Sequence, residues 1–448
     1  MKSRYDMVVV GAGPSGLMAA RTAAEKGLAV ALLDRNSELA PVKRGCAMVL
    51  LTLNEPYFGE EKISLDSESG RLSFRTNGFS VPYEGPSRDL FAWHLLSPGG
   101  GVLQFGDAAA GRLAGQQART SAVHDKGLLL AGLLRECEAL GVTVMAGANV
   151  AGAEKRGDEV WVACSGGEEV AAPLVIAADG ANSRLAECLG MNADRTCYGL
   201  MKIQGAELRG VEHFDPGTFY SFLSGRENPS YSVLVAMPDG EAGHFQAFTV
   251  VFDPRDDAGR ALDGLLADSR FAPHFRRGRV VRTTAAVEKM YSSMDKPYRD
   301  RVLFIGDAAW CQEIEITAAL MCGRHAGNAA AAALGEGNVS REGLGSYLAW
   351  WDRACLGTHD YRDYLRNYAL GFLMSNADID YLLGQVQEML PAIFNPYRAF
   401  DLLGRSLAGS MERIARERPD IAAKLQRFSG EPLEVLMEKP MRAAGKIL

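Results

Sequence analysis

Residues 5–34 read YDMVVVGAGPSGLMAARTAAEKGLAVALLD. A β-branched run, Val8-Val9-Val10, stops at Gly11, and Leu17–Lys26 has helical composition. Gly27 suits a C-cap, and a second apolar run, Leu28–Leu33, ends on Asp34. Strand, glycine-rich turn, helix, strand and acid, in that order, spell a dinucleotide-binding βαβ unit. Gly11 permits the tight turn, Gly13 lets backbone amides approach a pyrophosphate, and Gly16 lets helix and strand pack closely. The helix N-terminus adds a partial positive charge facing the phosphates. Asp34, 23 residues after Gly11, is placed to accept hydrogen bonds from a ribose diol. Pro14 and Ser15 inside the turn, and Arg35 beside the acid, complete this candidate cofactor-binding set. The motif alone does not separate FAD from NAD.

The totals narrow the class. At 448 residues the chain is too long for one small core, and two or three domains are expected. A hydrophobic share of 47% with 23% charged residues is ordinary for a globular protein. The net charge of −7 argues against a nucleic-acid partner, which would need a basic surface. No apolar stretch reaches the roughly 18 residues of a spanning helix, and the chain enters a strand without a secretory leader. The expectation is a soluble, cytoplasmic protein. Eight cysteines, at 46, 137, 164, 188, 197, 311, 322 and 355, form no CxxC, and the seven histidines are dispersed. Neither a metal site nor a disulfide framework is indicated.

Two further segments bear on the cofactor. LVIAADGANSR, residues 174–184, is a strand-like run ending on Asp179-Gly180, and VLFIGDAA, residues 302–309, ends on Gly306-Asp307. With the first motif they deliver glycine or aspartate to the carboxyl edge of one sheet, where ligands bind in doubly wound folds. In these three segments, GAGPSG, ADGANSR and GDAA, the chain resembles the flavin hydroxylase (p-hydroxybenzoate hydroxylase-like) superfamily and, within it, the geranylgeranyl-reductase-like flavoproteins. The resemblance covers the flavin-binding scaffold, about half the chain. It implies an α/β fold: a Rossmann-type FAD-binding domain of the glutathione-reductase-like kind, an inserted antiparallel-sheet substrate domain and a C-terminal helical region. It implies that Gly11, Gly13, Gly16 and Asp34 hold the ADP half of FAD. Asp307 would bind the ribityl chain, and Asp179 would support the site from behind. Where such families carry an arginine near the pyrophosphate, Lys126 stands here in HDKGLLLAGLL, with Arg119 close enough in sequence to compete.

Along the rest of the chain, leucines at 128, 129, 133 and 134 predict a helix over 127–140. Alternating patterns at 71–85 and 218–252 predict antiparallel strands. The expected division is an FAD-binding domain of 1–70, 105–195 and 286–335, a substrate domain of 71–104 and 196–285, and a helical region of 336–448. Pro98-Gly99-Gly100-Gly101 follows no convincing strand and reads as a loop. Without a second dinucleotide motif, the external reductant would be a visiting NAD(P)H or a protein donor.

The reaction centre departs from the family pattern. After GDAA stands WCQEIEITAAL, lacking the usual proline and glycine-rich turn. Glu313 and Glu315 there either cap the following helix or, if buried beside the flavin, donate a proton. PVKRGCAMVL, residues 41–50, is similar to the Lys-x-Cys-Gly segment of the reductase branch, with Lys43 and Cys46 in play. Cys46 reads either as a proton donor or as a small buried residue. Trp93, His94, Tyr231 and Trp310 are candidates for the substrate pocket, each equally readable as core packing. His325 reads as a packed core histidine.

The resemblance implies an FAD-dependent reductase. Hydride would pass from flavin N5 to a carbon–carbon double bond of a small apolar substrate, isoprenoid or polycyclic, with Cys46 or a glutamate supplying the proton. Two alternatives stay open: an NAD(P)H-dependent monooxygenase acting on an aromatic or polyketide substrate, and a flavin-loaded electron-transfer or interaction protein. The apolar stretch 365–408 is readable as packing against the flavin domain or as a peripheral membrane or partner contact.

Overall fold

Val8, Val9 and Val10 are buried because strands flank them on both sides and the helix Pro14–Glu25 and a three-stranded sheet of residues 150–172 pack against their sheet. The computed structural model describes residues 4–42, 45–51, 53, 55, 60–66, 69–310, 315–358 and 360–446. The strands used below are β1 (Met7–Val10), β2 (Val30–Asp34), β3 (Ala92–Leu96), β4 (Val102–Phe105), β5 (Thr143–Ala146) and β6 (Leu174–Ala177). They continue with β7 (Cys197–Arg209), β8 (Thr218–Leu223), β9 (Ser230–Ala236), β10 (His244–Val251), β11 (Arg279–Tyr291), β12 (Tyr298–Arg299) and β13 (Val302–Phe304). The helices are α1 (Pro14–Glu25), α2 (Lys126–Ala139), α3 (Ile316–Gly335), α4 (Tyr361–Leu373), α5 (Asn376–Leu383) and α6 (Pro396–Ala408).

One six-stranded sheet has the order β5-β2-β1-β6-β13-β12, parallel except for β12. Its register sets Val9 between Leu32 and Ile176. The turns after β1, β6 and β13 therefore emerge together at its carboxyl edge. α1 and α3 pack face to face on this sheet, the small residues of α3 allowing close approach. The expected α/β scaffold is present.

A seven-stranded sheet, β11-β7-β10-β9-β8-β3-β4, stands beside it. All neighbours are antiparallel except β8 and β3. The loop expected at 98–101 is the hairpin turn between β3 and β4. The strands expected at 71–85 form but do not join this sheet. Arg71–Phe74 and Phe79–Pro82 pair with Ile63–Asp66 in a separate three-stranded sheet. Arg71 reaches Glu136 of α2 at 3.4 Å, fastening that sheet to the nucleotide-binding body. Alternation announces a two-faced strand, but it does not announce the partner.

The C-terminal helices close over the seven-stranded sheet. Ser375 and Asp378 form a capping box at the start of α5. The buried Asp378 carboxylate also accepts from Arg418 and Lys424, each at 2.6 Å. Burial opposes its ionisation, but Lys424, Ser375 and Arg418 hold it well below the usual carboxylate range. No helix among the described residues is long and apolar enough to cross a membrane.

His124 predicts the acid behaviour of the fold. It is fully buried, and burial, with Lys126 nearby, lowers its pKa to about 3. Between roughly pH 6.5 and 3 the unfolded chain binds a proton that the folded chain excludes, so stability falls as pH falls. The slope is about 1.4 kcal/mol per pH unit for this residue. In urea titrations, His124→Leu should show a stability loss between pH 6 and pH 4 smaller than that of the parent by about 2–3 kcal/mol.

Candidate functional site

The three strand-end turns meet as the sequence requires. Gly11 has φ +104°, and a Cβ there would lie 2.2 Å from the Ala178 carbonyl oxygen, so the turns after β1 and β6 are in direct contact. A Cβ on Gly16 would lie 1.8 Å from the Gly11 carbonyl oxygen. Both positions serve internal packing. Gly13 differs, because a Cβ there would meet nothing within 4 Å, and the residue lines a cavity of about 400 Å³. Pro14 starts α1 and Leu17 makes the first intrahelical bond, to the Gly13 carbonyl at 2.9 Å, so earlier amides are left for a ligand.

Around that opening stand Ser15, Gly180 and Asp307, all on the cavity wall. Gly306 turns beneath Ser15 with φ +60°. Asp34 sits at the end of β2, where one carboxylate oxygen accepts from the Ala12 amide at 2.7 Å and the other from the Asn36 amide at 2.8 Å. Asp179 lies behind the wall. It accepts from the Leu185 amide at 3.1 Å, and burial raises its pKa. Arg35 is exposed, away from the cavity.

Lys126 and Arg119 part company. Lys126 is buried on the cavity wall at the start of α2, whereas Arg119 is held by Asp89 at 3.1 Å and does not reach the cavity.

Comparison with known proteins fits this geometry. A family model described as an FAD binding domain matches residues 4–54 and 116–313, more than half of the chain. The chain belongs to this FAD-binding family. It is also 24% identical over 439 residues, 96% of its own length and 98% of the relative's, to digeranylgeranylglycerophospholipid reductase 1 of Methanococcoides burtonii. Among solved structures it resembles a geranylgeranyl bacteriochlorophyll reductase-like protein from Thermoplasma acidophilum, with TM-score 0.69 and 18% identity over 94% of this chain and 99% of that one. A p-nitrophenol 4-monooxygenase from Pseudomonas putida shares the fold at TM-score 0.56 and 18% identity, over 96% of this chain and all of the other. The resemblance read from three motifs thus extends over almost the whole chain.

The residues of this flavoprotein fit FAD. The space that a side chain on Gly13 would fill opens on the α1 N-terminus, which suits a pyrophosphate. Gly180 is open in the same way.

The cavity continues past this end between the seven-stranded sheet and the C-terminal helices. The Cys46 segment forms its near wall. The Cys46 sulfur accepts from the Met48 amide at 3.4 Å and lies 3.9 Å from the Lys126 ammonium nitrogen. The Cys46 carbonyl accepts from Gln246 of β10. Met48 has φ +55°, a conformation that costs a non-glycine residue energy and that the sulfur contact helps to hold.

Glu315 is the N-cap of α3 and lines the cavity. One oxygen accepts from the Thr317 amide at 3.1 Å. The other is buried with no hydrogen-bond partner among the described residues. Burial raises the carboxyl's pKa to about 8. The two readings of this residue, helix cap and buried acid, therefore hold together. Lys43 and Glu313 lie outside the described residues.

Strand register sorts the candidate substrate residues. Trp93 pairs with Phe219, and both line the cavity. His94 pairs with Tyr220 and packs edge-on against it, 5.6 Å between ring centroids, on the opposite face. Neighbouring strand residues point to opposite sides, so Trp93 and His94 could not both face the substrate. Tyr231 lines the cavity, and its hydroxyl lies 2.6 Å from Ser221, which also takes the Trp93 indole N–H at 2.8 Å. Trp310 is a correction. It is 2% exposed, packs against Trp351 with ring centroids 5.3 Å apart, and does not reach the cavity. Its place directly after the strand-tip turn buries it in the junction between α3 and the C-terminal region.

Residues not singled out from the sequence complete the far wall. Tyr364, Asn367, Tyr368 and Gly371 line the cavity from one face of α4. Their spacing of i, i+3, i+4 and i+7 is a helical stripe, legible as a buried face but not as a binding one.

Proposed function

We propose that this FAD-dependent oxidoreductase reduces a carbon–carbon double bond in an elongated apolar substrate of isoprenoid type. The observation that carries this reading is the single cavity joining Gly13, Ser15 and Asp307 to an apolar bay walled by Phe248, Val250 and Phe252. Bound FAD supplies the hydride, after reduction by an external nicotinamide or protein donor.

The chain's own residues do the rest. Gly13, Pro14 and Ser15 present the α1 N-terminus to the anionic end of the cofactor, with Lys126 as the cation on the same wall. The aromatic and aliphatic side chains of the bay hold the chain of the substrate and exclude water. Glu315 delivers a proton from its unpartnered oxygen to the second alkene carbon. Its raised pKa keeps it protonated at neutral pH, as a general acid requires. The Cys46 thiol stands on this wall beside Lys126, as the second candidate donor. The relatives named for digeranylgeranylglycerophospholipid reduction support the choice of reaction. We place the enzyme in the cytoplasm, with the 365–408 region able to touch a membrane surface.

The test is anaerobic. After the bound flavin is reduced under argon, a polyprenyl compound should reoxidise it and emerge saturated. Reoxidation by air alone, with an oxygenated product, would transfer the assignment to a monooxygenase.

A further inference from the structure

The two ends of the cavity differ in charge, and the difference bears on the substrate's polar group. The Cys46 end is tied to Gln246 and carries Lys126, the one cation that the described residues contribute to the cavity wall. From Gln246, strand β10 runs past Phe248 and Val250 to Phe252, roughly 20 Å at about 3.3 Å per residue. There α4 crosses the sheet, with Tyr368 4.6 Å from Phe252 and 5.8 Å from Tyr231 between ring centroids.

This far end is polar and presents no cation to the cavity among the described residues; Glu288, which strand register sets beside Met201, is a carboxylate on the same cavity wall. The Tyr364 and Tyr368 hydroxyls lie 2.8 Å apart. Asn367 lines the cavity between them, and Ser224, just after β8, and Ser230, at the start of β9, line it on the facing side. The Asn367 side chain makes no hydrogen bond to the described residues, although the amide offers two donors and an acceptor. Three cations on neighbouring elements are turned elsewhere, and Arg226, between Ser224 and Ser230, is exposed. Arg366 donates to the carbonyls of Phe428 and Glu431, Lys202 to those of Pro254 and Asp256, and Arg362 pairs with Asp360.

We propose that Asn367, with the Tyr364–Tyr368 pair and Ser224 and Ser230, is the subsite for an uncharged oxygen function of the substrate. The group it takes is a hydroxyl, ether or carbonyl, so the acceptor is a neutral terpenoid-type molecule rather than a phosphate ester. This inference rests on the reduction proposed above. A phosphate held there would be desolvated without a counter-charge, which opposes its binding, whereas an alcohol exchanges hydrogen bonds with water for hydrogen bonds with the amide.

The FAD-loaded enzyme decides it, given three compounds with one polyprenyl chain: geranylgeraniol, geranylgeranyl phosphate and the matching hydrocarbon. The alcohol should exceed the phosphate in kcat/KM by about 100-fold. Asn367→Leu should lower kcat/KM for the alcohol about tenfold more than for the hydrocarbon, mainly through KM. Because that ratio is taken within one preparation, partial misfolding cancels. A phosphate reduced as well as the alcohol, or an unchanged alcohol-to-hydrocarbon ratio in Asn367→Leu, overturns the subsite. If no polyprenyl compound reoxidises the reduced flavin under argon, the proposed reaction falls and the subsite falls with it.

Discussion

Glu315→Gln should lower kcat/KM for alkene reduction by about 100-fold or more and remove the alkaline limb of its pH profile. In the parent enzyme that limb lies near pH 8, because the carboxyl must be protonated to donate and its pKa stands at about 8. Activity is therefore expected to fall as pH rises through 8. Glutamine keeps an acceptor for the Thr317 amide and so preserves the cap of α3. The effect on stability has the opposite sense. Between the ordinary carboxyl pKa and 8, the unfolded chain releases a proton that the folded chain retains, so folding weakens as pH rises across that window. Glu315→Gln lacks this penalty and should be at least as stable as the parent at pH 8. An inactive but stable variant is the expected pairing, measured by steady-state kinetics and thermal melts. A variant with parental rates and an unchanged alkaline limb would remove Glu315 from the mechanism.

Gly13→Val should fold normally and purify colourless. Gly13 has φ −74°, which any residue adopts, and a Cβ there meets nothing within 4 Å. The new side chain would fill space on the cavity wall where the pyrophosphate approaches the α1 amides. FAD affinity should fall about 1000-fold, or about 4 kcal/mol, with little change in the melting temperature of the apoprotein. Gly16→Ala is the contrast, because its methyl would stand 1.8 Å from the Gly11 carbonyl oxygen. That change should destabilise the βαβ unit itself. Flavin titration of both apoproteins separates the two roles. A yellow Gly13→Val protein with parental affinity would show that the cofactor lies elsewhere.

These cases mark how far the sequence could be read. The βαβ unit was legible because its determinants are local. A glycine spacing, a β-branched run and an acid at a fixed distance prescribe a turn whose partners lie within 30 residues. The alternatives at Glu315 could be named from the sequence, but not resolved. Its pKa depends on how much water the Leu51 segment, α3 and the cavity wall leave around one oxygen. The choice between Lys126 and Arg119 was also undecided, since both flank the same helix and only the ion pair with Asp89 takes Arg119 away.

The sequence by itself determined the flavin scaffold and the three turns that meet at one sheet edge. Tertiary structure alone decided that Trp93 and not His94 faces the cavity, that Trp310 is core, and that α4 supplies the far wall. The reason is one of range. Turn and strand preferences arise from backbone sterics and neighbouring side chains, which the local sequence carries. Which face of a strand or helix becomes a binding wall depends on what packs over it, and here that is a helix more than 100 residues further along the chain.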